Sequence, residues 1–284
     1  MRKKPKRENL KPQRFCIFCG GGGLSREHVW PQWSAPYIPK RPNPSHKTSV
    51  FTSSPADPDS YQLKKTRQYQ GDLRNMMIRV VCEGCNNGWM SELEDRSKKL
   101  LLPLILGEAG VFSKDGQKTI ATWIAMKVMV AEFSNPIDVS SSFEDRAKLK
   151  KLLSPPDNGW RIWILPNDGG NWTTGYLRSS LTMATRSDGE IPRPPNGSYS
   201  KNTQSVTLGI GQVVFYVLAT SVPGTYFQLP ADMINHMRQI WPFEGNFLWP
   251  TGSRFSDTVV DQLSLWLDRS TKNMNWASGP FDAE

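Results

Sequence analysis

Four cysteines stand in two C-x-x-C pairs, Cys16/Cys19 and Cys82/Cys85, and the chain of 284 residues contains no others. Each pair sets two thiols on one tight turn. A tetrahedral four-thiolate zinc site needs two such turns brought together. Gly20–Gly23 beside the first pair and Gly84 inside the second let the backbone turn sharply enough to aim both sulfurs at one ion. Disulfides would require an oxidising compartment, yet Pro12-Gln13-Arg14 leads from a basic N-terminus straight into Phe15 with no apolar signal region. The expectation is an intracellular chain. A thioredoxin-like redox motif would need one pair in a βαβ setting, and neither condition is met. The expectation is therefore structural zinc, with 62 residues looping between the knuckles. The Pro/Ser-rich stretch inside that gap reads as a loop insertion near 36–66.

Hydrophobic residues at 38% against 21% charged supply a real core and exclude a disordered polar chain. The longest apolar stretch, Val213 to Thr220, falls short of the ~20 residues that cross a bilayer, so no membrane partner is expected. The net charge of +9 is unevenly placed. Residues 1–14 hold seven Lys/Arg against one Glu, 15–99 hold twelve against eight, and 100–284 hold sixteen against seventeen. All the excess therefore sits in the first third. Lys3, Lys4, Lys6, Arg7, Lys11, Arg14 and Arg26 are candidates for phosphate contact, since neutralising phosphates releases counterions.

What lies beside each knuckle narrows the chemistry. Ser25-Arg26-Glu27-His28-Val29-Trp30-Pro31 follows the first, and Asn86-Asn87-Gly88-Trp89-Met90-Ser91, then Glu94, follows the second. Closing a zinc site would bring Glu27-His28 towards Asn86. Carboxylate and amide oxygens suit Mg or Mn, and an imidazole can take a proton from water near neutral pH.

These residues resemble the HNH endonuclease family, whose ββα-metal motif is often clasped by two C-x-x-C knuckles. Glu27-His28-Val29-Trp30-Pro31 matches its hairpin form of an acidic residue or His, the base His, an aliphatic residue, one more position and Pro. Cys85-Asn86 matches the second knuckle running into a helix whose first residue completes the metal site. The string from Cys85 to Glu94 is similar to a recurring form among bacterial and phage HNH proteins. The resemblance covers roughly residues 15–100. It implies His28 as general base, Glu27 and Asn86 as ligands of a catalytic Mg or Mn, and double-stranded DNA as the expected partner. Two departures stand out: Met77 occupies the place of the family's middle Asn, with Asn75 nearest, and Met90 stands where a final His would fall. Asn75, Asn87 and Glu94 are supporting candidates, although Glu94 also reads as closing a capping box with Ser91. Trp30, Trp33 and Trp89 are expected in a core rather than stacked on bases. His46 is expected in solvent and His236 in the core or at its boundary.

The periodicity predicts a helix over 91–102 stopped or kinked by Pro103, a second over 117–133, and a third over 141–153 with Ser141 and Glu144 as a capping box. Pro155-Pro156 then breaks the chain. Beyond it, 160–165, 171–177, 180–185, 206–211 and 213–220 read as strands, with Asp168-Gly169-Gly170 as a hairpin turn, Gly209-x-Gly211 as a bend or bulge, and 262–269 as a last helix. The expected organisation is α+β. It comprises a basic tail (1–14), an N-terminal ββα-metal HNH module with a four-cysteine clasp (15–100), a helical connector (101–154), and a C-terminal, mostly antiparallel α+β domain (155–284) with no catalytic constellation. The expected function is metal-dependent cleavage of nucleic acid. The alternatives are a zinc-stapled nucleic-acid-binding protein in which Glu27-His28 only braces a turn, and a protein–protein adaptor.

Overall fold

The N-terminal elements are built around one strand pair. The computed structural model describes residues 13–39, 45–54, 57–183, 201–222 and 231–267, with Thr225, Phe227 and Leu229. Strand β1 (Leu24–His28) follows the first knuckle, and β4 (Met77–Cys82) returns to pair with it antiparallel. Between them β2 (Ser45–Ser54) and β3 (Asp57–Gln70) form their own long antiparallel hairpin. The segment read as a loop insertion near 36–66 is thus largely a hairpin. Pro42, Pro44 and Pro55 fall before and between its strands in sequence and Pro58 at the very start of β3, positions that suggest a loop yet are compatible with a hairpin.

Cys82 passes directly into one turn of α1 (Glu83–Cys85), a π-helical turn over Asn86–Met90, and α2 (Ser91–Leu106). Because the chain is already helical at Met90, Ser91 is not a helix cap, and the capping box with Glu94 does not form. Nor does Pro103 stop α2. A proline removes only its own N–H bond, and Leu101, Leu104 and Ile105 bury the last turn until Gly107, at φ 69°, caps it. After β5 (Gly110–Phe112), α3 (Lys114–Ala131) starts three residues earlier than expected, because the Ser113 hydroxyl accepts the Gly116 N–H. Every residue of α3 from Ile120 to Ala131 is buried. In α4 (Phe143–Leu152) the cap is Ser142, one position later than expected, since the Ser141 N–H and hydroxyl are committed to the Glu132 carboxylate.

The C-terminal half forms a five-stranded antiparallel sheet in the order β10-β6-β9-β8-β7. Its strands are β6 (Trp160–Pro166), β7 (Thr174–Leu181), β8 (Thr203–Ile210), β9 (Val213–Thr220) and β10 (Arg238–Trp241). α5 (Ala231–Ile234) precedes β10, and β11 (Phe247–Trp249) then pairs with β5. α6 (Asp257–Ser264) follows, shifted N-terminal of the expected 262–269. The strand expected at 171–177 is corrected to a short 3-10 turn leading into β7, which also takes in the start of the strand expected at 180–185, whose last two residues lie outside those described. Asp168-Gly169-Gly170 is not a hairpin turn either, since β6 pairs with β9 and β10 while β7 sits at the far edge. The tight turn is Gly211-Gln212 between β8 and β9. Gly209 lies in regular register rather than in a bulge, and its missing side chain serves another purpose: a Cβ there would meet the Trp172 carbonyl at 1.8 Å.

One apolar core runs from Cys16, Phe18 and Trp30 through α2 and α3 to one face of β6, β8 and β9, while Trp163, Val214, Tyr216 and Leu218 pack under α6 on the other. Trp30 is fully buried, its indole N–H donating to the Gly209 carbonyl at 3.2 Å, so the cysteine-bearing segment is docked on the sheet. Trp33 and Trp89 are partly buried against the same core, as expected. His236, expected in the core or at its boundary, is exposed, with its ring edge-on to Phe255. His46 falls on β2. Among the described residues no helix is long and apolar enough to cross a membrane.

Candidate metal centre and the Glu27–His28 turn

The first knuckle closes through the Gly20 N–H on the Cys16 carbonyl and the Cys16 N–H on the Gly21 carbonyl, with Gly20 at φ 73°. Backbone N–H groups also reach the sulfurs, Gly21 to Cys19 Sγ and Cys85 to Cys82 Sγ, each at 3.4 Å. The four Sγ atoms lie within 4.8 Å of one another, and Cys19 and Cys82 are 3.6 Å apart. A tetrahedral ion with bonds near 2.3 Å would set its sulfurs about 3.8 Å apart. All four thiols are unbridged. Burial pushes Cys85 up to about 12 and raises Cys19, whereas at Cys82 burial is outweighed by the Cys85 N–H and the Cys19 contact, which bring it down to about 7. Such a cluster resists full ionisation until a cation offsets the charge. The tetrad can hold a metal ion such as zinc. Behind it Phe18 meets Trp89 edge-on at 5.1 Å, and the Arg146 guanidinium donates to the Ile17 carbonyl at 3.0 Å, tying the knuckle to α4.

β1 and β4 pair Leu24 with Cys82, Ser25 with Val81, Glu27 with Ile78 and His28 with Met77, the register shifting between Ser25 and Glu27. At that irregularity Asn86 docks onto β1. Its amide nitrogen donates to the Ser25 hydroxyl at 3.0 Å and the Arg26 carbonyl at 3.2 Å, and among the described residues nothing donates to its amide oxygen. The knuckle thus brings Asn86 against the strand carrying Glu27 and His28. Glu27 is buried, with Oε1 accepting from Lys127 Nζ at 2.5 Å. The same ammonium reaches Glu94 Oε2 at 2.8 Å and the His28 carbonyl at 2.9 Å. Burial works against the Lys127 charge, but the two carboxylates outweigh it and raise the pKa. The His28 ring is half-buried, its Nε2 lying 3.0 Å from the Gln32 amide nitrogen. Among the described residues the cysteines are the sole group of three or more thiol, imidazole or carboxylate donors close enough to share an ion.

Asn75 and Asn87 are exposed, and the Asn75 side chain bonds nothing among the described residues. The segment after β1 is braced instead by Arg74, which is paired to Asp72 and donates to the Ile38 carbonyl at 3.0 Å. Arg14 and Arg26 are exposed, as is Arg79, whose Nε donates to the Leu24 carbonyl. Lys3, Lys4, Lys6, Arg7 and Lys11 lie outside the described residues. Sequence reasoning missed Gln32, Arg74, Arg146 and Lys127. Only Lys127 left a legible signal, as the one charge in the buried span of α3 from Ile120 to Ala131. Comparison with protein-family profiles, with curated proteins and with solved structures finds no match to this chain.

Proposed function

We propose that the chain is an HNH-type endonuclease that hydrolyses phosphodiester bonds in nucleic acid, with double-stranded DNA as the expected substrate. One arrangement carries the reading: an antiparallel β1–β4 pair runs through a cysteine knuckle into a helix whose Asn86 folds back onto the strand bearing Glu27-His28. That is the order of a ββα-metal module. In this reading the four cysteines hold a structural zinc that fixes the knuckle, and hence Asn86, against β1.

The donors suit a hard divalent ion. Among the described residues Glu27 uses only Oε1 in its hydrogen bond and Asn86 only its amide nitrogen, so a carboxylate oxygen and an amide oxygen are left for Mg or Mn. Mg in particular is commonly held by one or two carboxylates, with waters and substrate phosphates completing the shell. When bound, such an ion supplies Lewis-acid stabilisation of the charge that develops on the phosphate. His28 accepts the proton of the attacking water at Nε2 once the Gln32 amide N–H, which occupies that lone pair at 3.0 Å, gives way to the water. Arg26 and Arg79, exposed on the same strand pair, offer positive charge to the nucleic-acid backbone.

The ion pair between Lys127 and Glu27 favours a second reading, in which Glu27-His28 braces the turn of a zinc-stapled nucleic-acid-binding protein. Plasmid cleavage separates the two. Under the nuclease reading wild type nicks or cuts in Mg or Mn and EDTA stops it. His28→Ala then loses activity by about 10²–10⁴-fold with zinc content, melting and DNA binding unchanged. Plasmid that stays intact in every metal, yet shifts in a gel, would establish the second reading instead.

A further inference from the structure

The helix α3 is apolar through the middle of the molecule, yet it carries one ammonium, Lys127, with 1% of its side chain exposed. Burying an unpaired charge is strongly unfavourable, so its partners matter. An ammonium has three donors. Here three oxygens face it: Glu27 Oε1 at 2.5 Å, Glu94 Oε2 at 2.8 Å and the His28 carbonyl at 2.9 Å. The Trp123 ring, 5.5 Å away at its centroid, closes off another side. Two of the three acceptors belong to the Glu27-His28 dipeptide, and the third belongs to the helix that follows Asn86.

Apolar residues in place of the whole ion-pair group would fill similar volume without desolvating charges and often leave stability unharmed, whereas a Met or Leu at 127 alone would leave Glu27 and Glu94 without their ammonium. What an ammonium adds is direction. It holds a strand carbonyl and a carboxylate at set places relative to α2, where an apolar side chain could hold neither. Asn86 holds the Arg26 carbonyl and Asn75 is exposed, so among the described residues Lys127 is the side chain bonded to the His28 carbonyl.

We propose that Lys127 is a positioning residue for the cleavage site. From α3 it fixes the backbone at His28 and the carboxylate of Glu27, so that the imidazole keeps its place relative to Asn86. This rests on the reading of His28 as the base. It also makes the site depend on residues beyond 100, because the group that sets the turn lies 99 positions after His28.

The test uses full-length, zinc-loaded protein. Lys127→Met removes the donor, and Lys127→Met combined with Glu94→Gln also removes one of the two carboxylates it would leave unpaired. Kinetics and histidine NMR are read together. The chain has three histidines, so ring signals from labelled protein can be assigned with His28→Ala. In a folded, zinc-replete variant kcat should fall on the order of 10²-fold, the effect of a small misplacement of a reacting group, while KM stays within about 3-fold. The His28 ring signals should shift or broaden while those of His46 and His236 stay in place. A folded variant with wild-type kcat and unchanged His28 signals would overturn the proposal. So would loss of zinc and of cooperative unfolding in both variants, which would make the ion pair purely structural. If wild type cuts no nucleic acid in any metal, the nuclease reading fails separately, and the NMR comparison alone decides whether Lys127 positions His28.

Discussion

Cys82 is the residue on which the knuckle and the strand pair both depend, because it ends β4 and its sulfur faces Cys19 at 3.6 Å. Its backbone pairs with Leu24, so a disturbed thiol is transmitted directly to the hairpin that carries Glu27. Structural four-thiolate sites contribute folding free energy outright, since the ligands are not gathered in the unfolded chain. Cys82→Ser should therefore lose both bound zinc, about one ion per chain in wild type, and cooperative unfolding. Metal analysis together with thermal melting checks this, and soluble, cooperatively folded, zinc-free protein would count against it. At the same scale Glu94 departs from expectation for a plain reason. The helix preceding Ser91 leaves no N-terminus to cap, so the carboxylate is available to Lys127.

Among the elements, β9 shows, against its neighbour β8, why a continuous apolar run is a poor guide to register. Val206, Leu208, Ile210, Val213, Phe215 and Val217 enter one core and Val214, Tyr216 and Leu218 enter the other, so both faces are buried and polarity does not alternate along β9. What fixes the pairing is backbone geometry at two glycines. Gly211 turns the chain at φ 59°, and Gly209 lets the Trp172 carbonyl approach where a Cβ would stand 1.8 Å away. The obstructing atom is backbone and cannot swing aside. Gly209→Ala should cost about 3 kcal/mol or more, at the upper end of overpacking penalties. Urea unfolding of the variant measures it, and an unchanged midpoint would mean that the 3-10 turn over Asn171–Thr173 yields more easily than its packing suggests. Because Trp30 donates to the Gly209 carbonyl, the same substitution should also loosen the cysteine-bearing segment.

Over the whole molecule, charge and core are distributed differently. The core is shared from Cys16 to Trp249, whereas seven of the chain's 35 Lys/Arg fall within residues 1–14 against a single Glu. None of the residues assigned to cleavage or to zinc lies in that tail. Deleting residues 1–14 should thus weaken DNA binding and flatten its dependence on salt, since the slope of log affinity against log salt scales with the number of phosphates neutralised. Cleavage at low salt should persist. Titrations at several salt concentrations test the point, and an unaltered slope would show that the tail makes no phosphate contact.

The spacing of the cysteines, the Glu27-His28 and Asn86 motifs, the buried helix α3 and the strands β6, β8 and β9 were legible from the sequence, whereas β10 and β11 were not. Each is set by interactions within a few residues: a knuckle turn, a helical period, a run of β-branched and aromatic side chains. The tertiary structure alone decided that β6 and β7 stand apart in the sheet, that the proline-flanked stretch forms a hairpin, and that α2 runs through Pro103. It also decided the partner of Glu27, which lies 100 positions away on α3. For the sheet order and for the partner of Glu27 the reason is the same. Long-range pairing follows from which faces are buried against each other and which buried charges must find oxygens, and neither requirement leaves a periodic trace in the local sequence.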